Sequence, residues 1–142
     1  MDLLEKADDD SDFEVKVSTV LNRQVREYGK MFMFDGREDT CWNSDQGSPQ
    51  WIRLQFDSEV EVNQIEFMFQ GGFAGKTCWL EASSSTDDLI KVADFYPEDI
   101  NKLQKFPLPS PVKAKAFKVV FADSTDFFGR ITVYQMKLIA AK

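Results

Sequence analysis

The chain has 142 residues, of which 43% are hydrophobic and 13% aromatic, and its formal net charge is -7. This length suits one domain with its own core, and the composition excludes a wholly disordered chain. The acidic charge disfavours direct binding to nucleic acid and to anionic membranes, which repel it. Histidine is absent, which removes the usual catalytic triads and the commonest transition-metal ligand.

The sequence indicates an intracellular protein. Its N-terminus, MDLLEKADDDSD, lacks the features of a secretion signal, and no stretch approaches the roughly 18 apolar residues of a membrane span. The two cysteines, Cys41 and Cys78, form no metal-binding motif and are interpreted as reduced thiols, with a disulfide as the alternative. Cys41 is a poor candidate nucleophile, because the chain has no histidine to activate it.

A tail and a strand are the first predicted elements. Residues 1–12 are predicted to form a disordered acidic tail, because the aspartates of residues 8–12 repel one another. We interpret it as a solvated linker, with binding to a basic partner as the alternative. The ordered domain is predicted to span residues 13–142. Alternating apolar residues predict a strand over residues 13–21, and residues 22–30 have room for one helical turn.

Short strands dominate the rest of the chain. Four prolines assign residues 97–111 to a loop or a sheet edge, with room for one helical turn at residues 98–105. About eight short strands and few helical patterns predict an all-β sandwich or jelly roll. Strands are predicted at residues 50–56, 59–62, 64–70, 78–83, 90–95, 115–121 and 131–139.

The core is predicted from the apolar faces of these strands. At least one of Trp42 and Trp51 is expected to close the end of the sandwich, and the alternative is a stacking platform for a sugar or a peptide. The predicted core comprises Val17, Trp51, Leu54, Phe56, Ile65, Phe67, Leu80, Val119, Phe121, Val133 and Leu138.

An oxygen-rich turn holds Asp35, Asp39 and Thr40. Such turns bind Ca²⁺, because this ion takes six to eight hard oxygen ligands. The alternative is an Asx-turn, in which Asp35 accepts a hydrogen bond from its own backbone. The spacing favours the Asx-turn, since the alternating pattern of an EF-hand is missing.

Two predicted loops carry phenylalanines beside glycines. Phe73 follows Gly71 and Gly72, while Phe127 and Phe128 precede Gly129. Three large apolar side chains at loop tips indicate either a partner-binding surface or a lid folded back on the core. Arg130 follows directly and can offer a planar fork of donors to a partner carboxylate.

Three motifs resemble the nuclear receptor-associated proteins, a family of single discoidin, or coagulation factor F5/8 type C, domains. The resemblance covers residues 15–138 and implies an eight-stranded antiparallel jelly-roll β-sandwich of the galactose-binding type. The motifs are FDGREDTCWNSDQGSPQWIRLQF at residues 34–56, FQGGFAG at residues 69–75, and DFYPEDINKLQKFPLP at residues 94–109 together with DSTDFFGRITVYQMKL at residues 123–138.

The resemblance also implies a function and a metal site. It implies a protein of the nucleus and cytoplasm that binds an orphan nuclear receptor and represses it by hindering its DNA binding. The wider superfamily implies structural Ca²⁺ held by the side chains of Asp35 and Thr40 and by nearby carbonyls, and Asp39 of the same turn is a further candidate ligand. A carboxylate of the last strand usually completes that site, and its match here is the neutral Gln135.

These observations predict a non-enzymatic, monomeric module that binds a protein partner and neither nucleic acid nor membrane. Its predicted binding surface is Phe73, Phe127, Phe128 and Arg130. A carbohydrate-binding module on the same fold is the alternative, and an adaptor subunit of a larger assembly is a third hypothesis. A sugar site needs a polar-rimmed cleft, whereas a partner site needs an apolar patch.

Overall fold

The computed structural model describes residues 1–5, 12–85 and 87–141. One short helix, α1 (Val25–Tyr28), lies between two 3-10 helices, Leu21–Arg23 and Lys30–Met33. The described strands are β1 (Phe13–Val17), β2 (Trp42–Asn43), β3 (Gln50–Phe69), β4 (Cys78–Ser83), β5 (Ile90–Phe95), β6 (Leu103–Phe121) and β7 (Thr132–Ala140).

Two long strands, β3 and β6, pair with each other and run through both layers of a sandwich. The first half of β3 and the second half of β6 form one layer with β1, β4 and β5. The other halves form the second layer with β7 and β2. Register shifts between Gln55 and Val60, and between Val62 and Gln64, mark where β3 changes layer. Every pairing is antiparallel, so the predicted antiparallel sandwich is confirmed.

The strand count differs from the predicted eight because segments join. The segments predicted at residues 50–56, 59–62 and 64–70 are one strand, β3. β6 begins at Leu103, so the helical turn predicted at residues 98–105 is wrong. The prolines of β6 lie in its first half, which has only β3 as a neighbour and is therefore a sheet edge, where proline is tolerated. The helical turn predicted at residues 22–30 is confirmed as α1.

The core lies between the two layers and is rich in phenylalanine. Phe67 stacks on Phe69 at 5.4 Å and on Phe95 at 5.8 Å, and meets Phe121 of the opposite layer edge to face at 5.6 Å. Trp42 is fully buried, and its indole N–H donates to the Thr19 carbonyl at 2.9 Å. A core tryptophan is therefore confirmed.

Two members of the predicted core are only half-buried: Val17 and Trp51. Trp51 lies on the outer face of its layer, because alternation along β3 turns Ile52 and Leu54 inward. The other nine predicted core residues are buried.

The first five residues pack against the sandwich, so the predicted disorder of residues 1–12 is wrong for this part. Leu4 is fully buried, and Leu3 N–H donates to the Leu138 carbonyl at 2.8 Å. One carboxylate oxygen of Asp2 accepts from the backbone N–H groups of Leu4 and Leu138. Burial nevertheless raises the pKa of Asp2. Residues 6–11 of the predicted tail lie outside the described residues.

Both cysteines are free, so the disulfide alternative is wrong. Cys78 is buried, and desolvation raises the pKa of its thiol far above the usual range. Desolvation also raises the pKa of Cys41. Across residues 1–5, 12–85 and 87–141, no helix has the length and apolar character needed to cross a membrane.

The strand registers place the longest loops together at one end of the sandwich. Gln50 pairs with Phe121, Phe69 with Val133, and Cys78 with Phe95. The opposite end holds both described chain ends, since Ala140 N–H donates to the Met1 carbonyl at 2.9 Å. The loop end comprises residues 44–49, 70–77, 96–102 and 122–131.

Candidate partner-binding surface

Four side chains meet at the loop end and form a surface that we call the loop patch: Phe73, Phe127, Phe128 and Arg130. Phe127 is 94% exposed and Phe128 54% exposed, and their rings meet edge to face at 5.3 Å. Phe73 is half-buried. The Arg130 guanidinium lies 5.1 Å from the Phe73 ring centroid and 5.9 Å from that of Phe128. The structure therefore brings the four predicted residues together, and Phe127 is not a lid.

Hydrogen bonds within residues 124–130 hold the two exposed rings. The Ser124 hydroxyl donates to the Arg130 carbonyl at 2.6 Å and accepts from Asp126 N–H at 2.9 Å. Gly129 N–H donates to the Asp126 carbonyl at 3.0 Å. The loop is thus closed across its own ends, and the phenylalanines project from an ordered backbone.

Gly129 is required where this loop meets the neighbouring one. Its φ of +85° lies in the left-handed region that side chains disfavour. A Cβ at this position would lie 2.6 Å from the Gly47 carbonyl oxygen and 2.7 Å from the Ser48 hydroxyl. This close approach allows Gly47 N–H to donate to the Phe128 carbonyl at 2.7 Å. A side chain at Gly129 would therefore displace Phe128.

Asp126 fixes the guanidinium of Arg130. Its Oδ2 accepts from both the backbone N–H and the Nε–H of Arg130, each at 3.1 Å. The side-chain hydrogen bond from Arg130 lowers the pKa of Asp126, so the carboxylate is charged at neutral pH. Arg130 therefore has fewer free donors for a partner than its sequence position predicts. Its guanidinium also lies against the rings of Phe73 and Phe128.

A second carboxylate joins the two loops of the patch. Asp99 Oδ1 accepts from Gly72 N–H at 2.7 Å and from the Thr125 hydroxyl at 3.0 Å. Asn101 Oδ1 accepts from Gly71 N–H at 2.8 Å. Sequence reasoning missed Asp99, Asn101 and Asp126. Asp99 and Asn101 belong to the proline-rich segment that the sequence analysis assigns to a loop or a sheet edge. For Asp126, the available signal is its position three residues before Gly129.

In the predicted calcium loop, residues 35–40, the carboxylates accept hydrogen bonds from donors of the same loop. Asp35 accepts from Arg37 N–H at 3.0 Å, which confirms the Asx-turn, and it also accepts from the Thr40 hydroxyl. Both oxygens of Asp39 accept from the Arg37 guanidinium, at 2.8 and 2.7 Å. That hydrogen bond lowers the pKa of Asp39.

The fourth predicted ligand, Gln135, lines a cavity of about 170 Å³ together with Gly36 of the same loop. Within the described residues, no three His, Cys, Asp or Glu side chains are close enough to hold a metal ion. Arg37 supplies a positive charge beside Asp39, which opposes a bound cation. Calcium binding by Asp35, Asp39, Thr40 and Gln135 stays a prediction.

The F5/8 type C domain family model matches residues 14–133. A Nuclear receptor 2C2-associated protein of Danio rerio is 52% identical over 127 residues, which cover 89% of this chain and 90% of the relative. One of Homo sapiens is 48% identical over 127 residues, covering 89% of this chain and 91% of the relative. The resemblance to nuclear receptor-associated proteins is therefore confirmed.

A solved structure supports the fold independently. It is described as CpGH89CBM32-5 of Clostridium perfringens in complex with GalNAc-beta-1,3-galactose, and it superposes with a TM-score of 0.76 at 18% identity. The match covers 91% of this chain and 96% of that chain. Both the family and the structural neighbour are binding modules, and the relatives are named as associated proteins. The chain therefore belongs to the F5/8 type C domain family.

Proposed function

We propose that the chain is a non-enzymatic protein-interaction module that binds a nuclear receptor through the loop patch and hinders the receptor's binding to DNA. The observation that carries the proposal is the exposure of Phe127 and Phe128 on a loop held closed by hydrogen bonds. Exposed aromatic side chains on an ordered backbone favour binding, because little conformational entropy is lost when a partner covers them.

The names of the relatives support the class of partner. The proteins of Danio rerio and Homo sapiens are named for association with nuclear receptor 2C2. We therefore take this receptor as the partner to be tested. The activity would take place in the nucleus and cytoplasm, with the module acting as a monomer.

The net charge supports the repression step. A receptor surface that holds DNA phosphates is basic, and a module of net charge -7 is attracted to it. Once docked, the module both covers that surface and repels the phosphates. The acidic charge would therefore lower the receptor's affinity for DNA.

A carbohydrate-binding module is the rival function on this fold, and an adaptor subunit is a third. Three polar side chains at the loop end are already engaged within the protein. Asp99 and Asn101 accept from backbone N–H groups, and Asp126 accepts from Arg130. This engagement favours a protein partner over a glycan.

The test measures binding of the chain to purified nuclear receptor 2C2 by biolayer interferometry. Phe128→Ala and Arg130→Ala should each weaken binding by about 1–3 kcal/mol, because each removes part of the patch. Ile90→Ala is the matched control, since Ile90 is 66% exposed on β5 and lies outside the patch. Circular dichroism of each variant establishes that the fold is intact.

A gel-shift assay with the receptor and its DNA then tests repression. We expect added chain to release the receptor from DNA, and Phe128→Ala to release less. If the Phe128→Ala and Arg130→Ala variants both bind the receptor with wild-type affinity, the receptor-binding surface lies outside the loop patch. A ternary complex with DNA would contradict repression, and glycan-array binding without receptor binding would favour the carbohydrate function.

A further inference from the structure

An apolar groove of about 480 Å³ lies beside β1, away from the loop patch. Residues of the segment 20–32 form one wall of the groove. Its apolar lining consists of Val17, Val20, Val25, Met31, Phe32 and Trp51. The volume falls in the range of about 300–1,000 Å³ that is common for ligand sites.

Local backbone geometry keeps the groove open. Asn22 and Arg23 have φ values of 49° and 58°, so the chain turns sharply before α1. A Cβ at Gly29 would lie 2.4 Å from the Val25 carbonyl oxygen, so only glycine allows the tight return of the wall. The groove is therefore built into the backbone of residues 22–29.

The groove leaves apolar side chains accessible to solvent. Val25 is 62% exposed and Met31 37% exposed, while Trp51 is half-buried. The buried core of the sandwich packs on the other side of β3 and gains nothing from these three side chains. A ligand that covers them would remove apolar surface from water.

The two charged residues that line the groove are lysines, although the chain as a whole is acidic. Lys16 and Lys30 line it, and Lys118 Nζ lies 5.1 Å from the ring centroid of Trp51. Among the described residues, no carboxylate lies within ion-pair distance of these three lysines. Lys16 also lines a separate polar cavity with Glu14 and Asp87. The rim thus carries cationic charge that a ligand can neutralise.

The backbone of β1 offers hydrogen bonds at the same edge. Ser18 N–H donates to the Trp51 carbonyl, and Asp57 N–H donates to the Asp12 carbonyl. Because pairing alternates along an antiparallel ladder, the N–H and C=O groups of Val17 point away from β3. A ligand that has its own peptide backbone matches such an edge.

We propose that this groove binds an acidic peptide segment of a partner protein, in which apolar side chains alternate with Asp or Glu. The apolar side chains would cover Val25, Met31 and Trp51, and the carboxylates would pair with Lys16, Lys30 and Lys118. The groove shares no residue with the loop patch, so this site is separate from the proposed receptor surface.

The test uses a fluorescein-labelled synthetic peptide in which Leu and Phe alternate with Asp and Glu. Fluorescence polarisation should show saturable binding that weakens as salt is added. A peptide with Lys in place of Asp and Glu should not bind. Lys30→Glu should weaken binding of the acidic peptide by about tenfold or more, because it reverses a rim charge. The matched control is Lys113→Glu, which makes the same charge change at an exposed site of β6 outside the groove.

Indole NMR signals locate the bound peptide. The Trp51 indole signal should shift on titration, while those of Trp42 and Trp79 should stay in place. Equal binding by the Lys30→Glu and Lys113→Glu variants would overturn the proposal. Equal binding of the acidic and basic peptides would also overturn it, as would an unshifted Trp51 indole signal at saturating peptide. Binding to oleate vesicles without any binding to the acidic peptide would contradict the proposal of a protein partner.

Discussion

At the scale of single residues, exposure separates phenylalanines with different roles. Phe67 is fully buried among three other rings, whereas Phe127 is 94% exposed. Alternation along a strand already predicts burial for Phe67, whereas the loop position of Phe127 leaves open whether its ring is exposed or folded back as a lid. The first is a packing residue and the second is available to a partner.

Replacing Phe67 with Ala should lower the free energy of unfolding by about 3–5 kcal/mol, because it removes a buried ring and leaves a cavity. Phe127→Ala is the control and should change stability by no more than about 0.5 kcal/mol. Urea denaturation of both variants makes the comparison. An unchanged midpoint for Phe67→Ala would mean that the ring is not part of the packed core.

Trp42 and Trp51 show which features the alternation of side chains along a strand predicts and which it does not. Placing Leu54 in the core already commits Trp51 to the outer face, because side chains alternate along a strand. Trp42 is buried because a two-residue strand, β2, pairs with β7. That contact is distant in sequence and has no local periodic signal. Local pattern therefore predicts faces, whereas long-range pairing decides which short segments are buried.

At the scale of elements, the structure differs most from the sequence prediction in the first half of β6 and in the contacts between loops. Alternation predicted most of β3 and the second half of β6, but the first half of β6 was obscured by prolines that an edge position tolerates. The loop patch was predicted from phenylalanines beside glycines. Asp99 could not be predicted, since its partners Gly72 and Thr125 lie in other loops, whereas Asp126 was missed although its partner Arg130 follows in the same loop.

We predict that Arg37 opposes calcium binding by residues 35–40, because its guanidinium engages both oxygens of Asp39. We expect Arg37→Ala to bind Ca²⁺ more tightly than the unmodified chain, because it frees a carboxylate and removes a positive charge. Calorimetry on chelator-treated protein measures both. Heat together with a raised melting temperature in the unmodified chain would establish the site. If neither protein releases or absorbs heat with millimolar Ca²⁺, residues 35–40 do not form a calcium site.

The N-terminal segment is predicted to stabilise the domain through Leu4. Leu4→Ala should cost about 2–5 kcal/mol, because this side chain is fully buried. Leu3→Ala is the comparison, since Leu3 is only partly buried, and its cost should be smaller. Thermal unfolding measures both. Equal melting temperatures for the Leu4→Ala variant and the unmodified chain would show that the segment does not support the fold.

At the scale of the whole molecule, the two layers are not independent, since β3 and β6 belong to both. We expect unfolding in urea to be a single two-state transition. Tryptophan fluorescence, which reports on buried Trp42 together with half-buried Trp51 and Trp79, should give the same midpoint as far-ultraviolet circular dichroism. Two separated midpoints would show that one layer unfolds before the other.

The hydrogen bond between Met1 and Ala140 places the two described chain ends side by side, which determines where the protein can be tethered to a surface or a fusion partner. Both described chain ends lie at the end of the sandwich opposite the loops, so a tether at either terminus would leave the loop patch facing outward. A short linker joining the two ends would need to span only a few residues. The chain is therefore suited to circular permutation, with new ends opened at an exposed bend such as residues 84–85, between β4 and β5, without cutting the loops that carry the patch.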